Sequence, residues 1–140
     1  MPQNKYKREN LAAVLRRHGI NPTHQRIEIA HAIFSRGEHL SAEQILVLVN
    51  ERASETSKAT VYNTLNLFLD KKLIREVIVD PSKVFYDPNP EPHHHFFNVD
   101  TGELTDIDAR DIRVSGLPPL PRGMATEEVD IVVRIRSTPA

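Results

Sequence analysis

The chain has 140 residues, 39% of them hydrophobic, and a formal net charge of −1, which allows one domain or two very small ones. It contains no cysteine, which excludes disulfides, thiolate zinc sites, a cysteine nucleophile and thiol redox sensing. It has neither an apolar run of about 18 residues nor a signal-peptide-like N-terminus, so we expect a cytoplasmic protein with no membrane partner.

Charge is unevenly divided along the chain. Residues 1–75 carry 12 Lys and Arg against 7 Asp and Glu, whereas residues 76–140 carry 6 against 12. A basic half joined to an acidic half is typical of a nucleic-acid-binding module attached to another domain. The same imbalance also occurs in soluble proteins without a nucleic-acid partner, so it supports this interpretation only together with other features.

Two helices are predicted at the N-terminal end. The apolar residues of Lys5–His18 recur at helical spacing, and Gly19 follows as a stop signal. Thr23 is a good N-cap for a second helix, whose inner face includes Ile29 and Ile33.

Two further helices follow. Ser41 and Gln44 have the spacing of a capping box, in which each side chain bonds a backbone N–H of the first helical turn. Ser57 is the predicted cap of a fourth helix, which runs from Lys58 to about Lys72.

A β-hairpin is predicted directly after the fourth helix. Leu73–Val79 is rich in β-branched residues, Asp80–Ser82 is a turn signal, and Val84–Tyr86 has the composition of a returning strand. Four helices and a hairpin in this order predict a winged helix, whose fourth helix would lie in the major groove of DNA as the recognition helix.

The first turns of the predicted recognition helix carry side chains that reach phosphates or base edges. The candidate DNA-binding residues are Lys58, Thr60, Tyr62, Asn63 and Thr64, with basic charge added by Arg16, Arg17 and Arg26. A polar first turn is also common in helices that bind no DNA, and a winged helix can serve protein contacts instead.

A proline-rich stretch marks a domain boundary. Residues 87–92 contain three prolines in six positions, which predicts a hinge between a winged-helix domain (1–86) and a second domain (93–140). In the second domain, His94–Val99 and Leu104–Ile107 form a predicted hairpin, and Val129–Ile135 a third strand. The segment 113–124 contains too many prolines for a continuous helix. The predicted fold class is α+β.

The sequence His93-His94-His95 is a candidate metal motif. On a strand, His93 and His95 point to one face and His94 to the other, and such an H-x-H pair often begins a metal site. A hydrogen-bonded or exposed histidine pair is an equally good interpretation of the motif alone. Asp87, Asp106 and His39 are further candidate ligands if the fold brings them close.

Several motifs follow one another along the chain, namely Leu15–Arg26, His39–Glu43, Ala59–Tyr62 with Leu65, His93–His95, Asp100–Gly102 and Asp106-Ile107. In this order they resemble the ferric uptake regulator (Fur) superfamily, and the resemblance runs from about residue 11 to 107. The resemblance implies a winged-helix DNA-binding domain, a hinge, and a small C-terminal α/β dimerisation domain. It also implies a homodimer that binds palindromic, inverted-repeat operators in double-stranded DNA. Tyr62 matches the family's DNA-contacting tyrosine, whereas Asn63 stands where many members have Arg.

The resemblance also implies a regulatory metal site at the junction of the domains. Its ligands would be His39, Asp87, His93, His95 and Asp106, a nitrogen and oxygen set suited to Fe²⁺, Mn²⁺ or Zn²⁺. Metal bound there would fix the angle between the domains. The family's structural zinc site, which is built from four cysteines, is lost, because Asn98 and Thr101 stand at its first cysteine pair.

The histidine run, residues 62–65 and the proline-rich Leu117–Pro121 together resemble the iron response regulator (Irr) branch of the family. That resemblance implies transcriptional control of iron and haem homeostasis genes, with haem as a candidate effector at His93, His94 and His95. Asp87 instead matches the peroxide-sensing (PerR-like) members, so a peroxide sensor or an Mn- or Fe-dependent repressor are alternatives. A metalloenzyme with a metal-activated water is a further alternative, but we expect no enzyme.

Overall fold

The structure is a computed structural model that describes residues 7–36, 39–52, 55–89 and 93–139. The chain divides into two compact units, the first ending at Pro90 and the second beginning at Glu91. Residues 90–92 of the predicted hinge lie outside the described residues, as do Lys5 and Tyr6 at the start of the first predicted helix. Within the described parts of the chain, no helix is long and apolar enough to cross a membrane.

The first two predicted helices are confirmed. Helix α1 is Arg8–Arg17 and helix α2 is His24–Arg36. Gly19 has a φ of +75°, and its N–H bonds to the Arg16 carbonyl, which closes the end of α1. The Thr23 hydroxyl accepts from the Arg26 N–H at 3.3 Å, as expected of an N-cap.

The third and fourth helices are α3, Ala42–Arg52, and α4, Lys58–Asp70. Both halves of the capping box form, since the Ser41 N–H donates to Gln44 Oε1 at 2.8 Å and the Gln44 N–H donates to Ser41 Oγ at 3.2 Å. Ser57 Oγ accepts from the Thr60 N–H at 3.1 Å. Helix α4 ends two residues before the predicted Lys72, because Lys72 has a φ of +60° and the following Leu73 N–H bonds back to the Phe68 carbonyl.

The predicted hairpin is formed by strands β1, Arg75–Asp80, and β2, Lys83–Asp87, which pair antiparallel. The segment before α3 adds to this hairpin, because Leu40 and Tyr86 form an isolated antiparallel bridge. Its two hydrogen bonds are Tyr86 N–H to the Leu40 carbonyl at 2.7 Å and Leu40 N–H to the Tyr86 carbonyl at 3.2 Å. The first unit is therefore a winged helix whose wing is tied to the start of α3.

The core of the first unit is continuous. All four helices and the wing contribute apolar side chains to it, among which Leu11, Ile29, Ile45, Leu65 and Phe68 are fully buried. Burying one such side chain contributes about 1.5–3 kcal/mol to folding. This core fixes the helices on which the candidate DNA-binding residues lie.

The second unit is built on a three-stranded sheet with the order β4-β3-β5. The strands are β3, His94–Asn98, β4, Leu104–Ile107, and β5, Val132–Ile135. Strand β3 pairs antiparallel with β4 and parallel with β5. The predicted hairpin is therefore confirmed, and the third strand begins three residues later than predicted because its ladder with β3 starts at the His95–Val132 pair.

Helical structure is scarce in the second unit. Among its described residues the only helical element is the short 3-10 turn Ala109–Asp111. The segment from 113 to 130 has no regular secondary structure and is almost entirely exposed, as the prolines predict. The expected α/β character of this unit thus amounts to a sheet with one short turn of helix.

Candidate metal centre and nucleic-acid interface

The first group of candidate metal ligands lies within the first unit and consists of His39 and Asp87. Because Leu40 pairs with Tyr86 in an antiparallel bridge, the next residues outward, His39 and Asp87, stand opposite each other on one face. Their side chains meet, with His39 Nε2 at 3.0 Å from Asp87 Oδ2. The other carboxylate oxygen of Asp87 accepts from the Asn89 N–H at 2.9 Å, which fixes its orientation.

The second group lies within the second unit and consists of His93, His95 and Asp106. His95 pairs directly with Asp106 across the β3–β4 ladder, and His93 lies two positions earlier on the same face. Asp106 Oδ1 is 3.0 Å from His93 Nε2 and 3.4 Å from His95 Nε2. The two imidazole rings stand 4.6 Å apart between centroids. The alternation predicted from the sequence is thus what brings these three side chains together.

Both groups have the chemistry of metal ligands. Each of the five residues offers one ligand atom, an imidazole nitrogen or a carboxylate oxygen. His93 and His95 are buried and Asp87 is 2% exposed, and buried titratable groups of this kind are kept close to a counter-charge or a metal. A mixed nitrogen and oxygen set without thiolate fits Fe²⁺, Mn²⁺ or Zn²⁺ and does not favour softer ions.

His94 lies on the opposite face of β3 from His95 and is also buried, at 9% exposed. Its Nδ1 accepts a hydrogen bond from the Ile131 N–H at 3.1 Å. An accepting Nδ1 places the single proton of a neutral imidazole on Nε2, so neither ring nitrogen has a lone pair left for iron. Axial ligation of haem at His94 would therefore break this bond, and the three histidines do not share one face.

The turn between β3 and β4 stands where the resemblance expects a zinc-binding cysteine pair. Asn98 Oδ1 accepts from the Asp100 N–H at 2.9 Å and from the Thr101 N–H at 3.1 Å. Gly102 completes the turn with a φ of +78°. An asparagine-capped turn thus closes this hairpin with hydrogen bonds in place of a metal.

The predicted recognition helix presents its first turns at the surface. Lys58 and Asn63 are exposed, and Thr60 and Tyr62 are half-buried. Asn50 holds the preceding loop in place, because its side-chain amide bonds both the N–H and the carbonyl of Thr56. The Thr60 hydroxyl accepts from Ser57 Oγ at 2.9 Å.

Thr64 differs from the other candidate DNA-binding residues because it is only 7% exposed. It lines a groove between α4 and the N-terminus of α2, together with Thr23–Arg26, Thr60 and Asn63. Helical periodicity explains this position, since Thr64 follows the buried Val61 by three residues. Little of Thr64 is thus exposed to a partner, and its predicted DNA contact stays a prediction.

The three candidate arginines occupy two places. Arg26 lines the groove beside α4, and one of its N–H groups donates to the Asn21 carbonyl at 2.9 Å. Arg16 and Arg17 lie in the last turn of α1 and are exposed. Only Arg26 is therefore adjacent to the recognition helix through a shared groove.

Tyr62 has a partner that sequence analysis missed. Its hydroxyl donates to Glu43 Oε1 at 2.9 Å, and the Lys58 ammonium lies 5.8 Å from the centre of its ring. The hydrogen bond to Glu43 raises the pKa of Tyr62, while the backbone N–H of Glu43 and the Tyr62 hydroxyl lower the pKa of Glu43. Glu43 and Tyr62 are 19 positions apart on different helices, so no local spacing could have shown the contact.

Comparison with known proteins gives a consistent result. The model of the "Ferric uptake regulator family" matches residues 17–133. The chain is 30% identical over 99 residues to the peroxide-responsive repressor PerR of Staphylococcus aureus strain Mu50. The matched region covers 71% of this chain and 67% of that protein. It is 29% identical, again over 99 residues, to the protein of the same name from Staphylococcus epidermidis. That match covers 71% of this chain and 66% of the relative.

Solved structures show the same fold. The ferric uptake regulator of Pseudomonas aeruginosa, determined with manganese, superposes with a TM-score of 0.67 at 24% identity, covering 91% of this chain and 97% of that chain. The chain spans about two thirds of the length of the curated relatives it matches. The relatives named here are repressors and regulators rather than enzymes, and none is named as an iron response regulator, so that branch stays a prediction.

The family match extends over most of the chain and includes helices α2 to α4, the wing, both groups of candidate ligands and strands β3 and β4. We conclude that the chain belongs to the ferric uptake regulator family.

Proposed function

We propose that this protein is a metal-responsive transcriptional regulator that binds an inverted-repeat operator as a homodimer. The observation that carries the proposal is the pair of ligand groups. One group, His39 with Asp87, belongs to the winged-helix unit, and the other, His93 with His95 and Asp106, belongs to the sheet unit.

The chain connection supports a single shared ion. Only five residues separate Asp87 from His93, so their Cα atoms are at most about 22 Å apart even when the segment is fully extended. We propose that one divalent ion takes ligands from both groups. Because only one arrangement of the units would satisfy the ion, binding shifts the population toward that arrangement.

Such coupling provides a route from metal to DNA. In a dimer, the arrangement of the units sets the separation of the two recognition helices, which must match half-sites about one helical turn apart or a multiple of it. Metal would supply coordination and charge neutralisation in this site, and the protein residues would supply its geometry. The protein would thus respond to Fe²⁺, Mn²⁺ or Zn²⁺ by a change in operator affinity.

The test is DNA binding with and without metal in His93→Ala and in wild type. We expect His93→Ala to weaken both Mn²⁺ binding and the metal-dependent part of DNA affinity. His18→Ala is the matched control, since the His18 imidazole bonds the Val14 carbonyl of α1 and belongs to neither ligand group. Equal metal dependence of DNA binding in His93→Ala and wild type would contradict the proposal.

DNA binding itself is tested by its salt dependence. If Lys58 and Arg26 neutralise phosphates, the logarithm of the binding constant falls linearly with the logarithm of salt concentration, by about 0.9 for each phosphate contacted. A winged helix used for protein contacts would show no such slope. The same titration with a duplex of scrambled sequence measures how much of the affinity is specific.

The homodimer is supported by the exposed apolar residues of the second unit. They are Phe96, Val99, Val114, Leu117, Leu120, Met124, Val129, Val133 and Ile135. A monomeric protein rarely exposes so many in one small unit, and a stable interface buries about 1,200–2,000 Å² in total. We propose that a second copy covers this surface.

A peroxide response is a second candidate, favoured by the repressors named as peroxide-responsive among the relatives. In that function, iron bound by the imidazoles would promote oxidation of a histidine ligand. Peroxide treatment of iron-loaded protein should then add one oxygen atom to His39, His93 or His95, whereas manganese-loaded protein stays unmodified. An unchanged mass in both would exclude it.

The resemblance to the Irr branch supports a more specific proposal. In it, the protein controls iron and haem genes, and haem is the effector. Imidazole is a good haem ligand, but the bond between His94 Nδ1 and the Ile131 N–H weighs against His94. A haem titration of His94→Ala and wild type, followed by the Soret band, tests it. Equal binding in both would exclude His94 as an axial ligand.

A further inference from the structure

Three side chains meet at the surface where α4 begins. They are Glu43, from the first turn of α3, and Lys58 and Tyr62, from the first two turns of α4. Tyr62 bonds Glu43 at 2.9 Å, and Lys58 lies over the Tyr62 ring. Lys58 and Tyr62 are two of the proposed DNA-contacting residues, whereas Glu43 carries the charge that DNA repels.

The hydrogen-bonding capacity of Tyr62 is limited by this contact. A phenol has one O–H to donate, and in this structure it is directed at Glu43. Phosphodiester oxygens are acceptors only, so Tyr62 cannot donate to a phosphate while it donates to Glu43. The contact therefore leaves the ring of Tyr62, rather than its hydroxyl, available for DNA.

The charge of Glu43 acts in the same direction. Glu43 is exposed, and the hydrogen bonds from its own backbone N–H and from Tyr62 hold its pKa below the usual range, so it is ionised at neutral pH. Its charge also interacts with Lys58. A phosphate approaching Lys58 or Tyr62 must therefore displace or tolerate a carboxylate.

We propose that Glu43 is a specificity-determining residue of the DNA interface, which holds the Tyr62 hydroxyl and partly offsets the charge of Lys58 in the free protein, and which disfavours complexes held by backbone contacts alone. Sequence-independent binding depends almost entirely on phosphate contacts. A carboxylate that competes for two phosphate-binding groups weakens that binding more than it weakens a complex that also has base contacts. The inference rests on the DNA-binding function proposed above.

The first test compares Glu43→Gln with Glu51→Gln. Both remove one negative charge from α3, but Glu51 is near the other end of the helix, where it lines a cavity together with His31 and Arg52. The probes are a duplex selected by wild-type protein from a randomised pool and a scrambled duplex of the same composition, each titrated over a salt series. Melting curves show that the variants are folded.

We expect Glu43→Gln to bind the scrambled duplex about two- to five-fold more tightly, the size of one surface charge interaction, and the selected duplex with a smaller gain. The ratio of selected to scrambled affinity falls, and the salt slope on the scrambled duplex becomes steeper by up to about 0.9, which is one phosphate contact. Glu51→Gln leaves the ratio unchanged.

A second pair of variants tests whether Glu43 competes with phosphates for Tyr62 or only stabilises helix α4. The amide oxygen that Glu43→Gln introduces accepts from Tyr62 more weakly than a carboxylate does. In a Tyr62→Phe background there is no such bond to weaken, so Glu43→Gln should give a smaller gain on the scrambled duplex than it gives in wild type. Equal shifts for Glu43→Gln and Glu51→Gln, or an unchanged ratio, would overturn the inference. If wild type shows no salt-dependent DNA binding at all, the proposed function fails instead.

Discussion

The two units of the chain differ in how their apolar residues are used. Of the 23 buried hydrophobic residues in the described parts of the chain, 20 belong to the first unit, and only Phe97, Leu104 and Ile107 belong to the second. In the second unit His93, His94 and His95 take a large share of the buried positions. The first unit thus has a core of its own, whereas the second has an apolar surface and a buried polar cluster.

This difference indicates a division of roles. A continuous core holds the recognition helix rigidly, which DNA recognition requires. A small sheet with exposed apolar residues gains stability from a partner copy and from ligands that bind the folded state.

Phe68→Ala should produce the largest loss. Phe68 is 0% exposed at the centre of the first unit, so its truncation should cost about 3–5 kcal/mol of unfolding free energy. Val47→Ala, at a residue 61% exposed on α3, should change stability by less than about 0.5 kcal/mol. Chemical denaturation of both variants measures the difference, and similar losses would mean that the core is not continuous.

Ile135→Asp should disrupt the proposed dimer while leaving the first unit folded. Ile135 is 38% exposed on β5, at the edge of the sheet, and a carboxylate there must lose its hydration in any interface that covers the strand. We expect at least about a ten-fold weaker dimer, equivalent to about 1.4 kcal/mol. Sedimentation over a concentration series measures it, with Val47→Asp as the control that should stay dimeric.

Asp106→Asn should lower metal affinity by about 10- to 100-fold, because it removes a charged ligand that contacts both His93 and His95. Asp108→Asn is a close control, since Asp108 instead caps the 3-10 turn and pairs with Arg110. Calorimetric titration with Mn²⁺ distinguishes them. A comparable loss in both variants would point to general electrostatics rather than ligation.

The smallest expected effect is a pH dependence of the first unit. Burial, and then the charges of Arg8 and Arg52, lower the pKa of His31 below its ordinary value of 6.5. The unfolded chain therefore binds a proton at this residue at a higher pH than the folded chain, and stability is lost as the pH falls below 6.5. His31→Asn should show a shallower loss between about pH 7 and 5 than wild type. Parallel stability curves for the two proteins would show that His31 contributes nothing to it.

Local features of the fold were predictable from the sequence. The Thr23 and Ser57 caps, the Ser41–Gln44 capping box and the β3–β4 hairpin all follow from short-range rules, and all are present. The resemblance implied Asp106 as a ligand beside His93 and His95, and the strand register and alternation explain why the three side chains meet. These features depend on residues close in sequence or on one strand register.

Contacts between distant elements were not predictable. The Glu43–Tyr62 bond joins two helices, and the His94–Ile131 bond joins β3 to the residue before β5, 37 positions later. Each is set by tertiary packing, which periodicity and spacing do not specify.

The central claim is that one metal ion takes ligands from both units, and His39→Ala tests it most directly. Calorimetric titration of wild type with Mn²⁺ should give one site per chain. Removing His39, which belongs to the winged-helix unit, should weaken that site about 10- to 100-fold, as Asp106→Asn does in the sheet unit. Unchanged affinity and stoichiometry in His39→Ala would show that the sheet unit holds the ion alone, and would contradict the account.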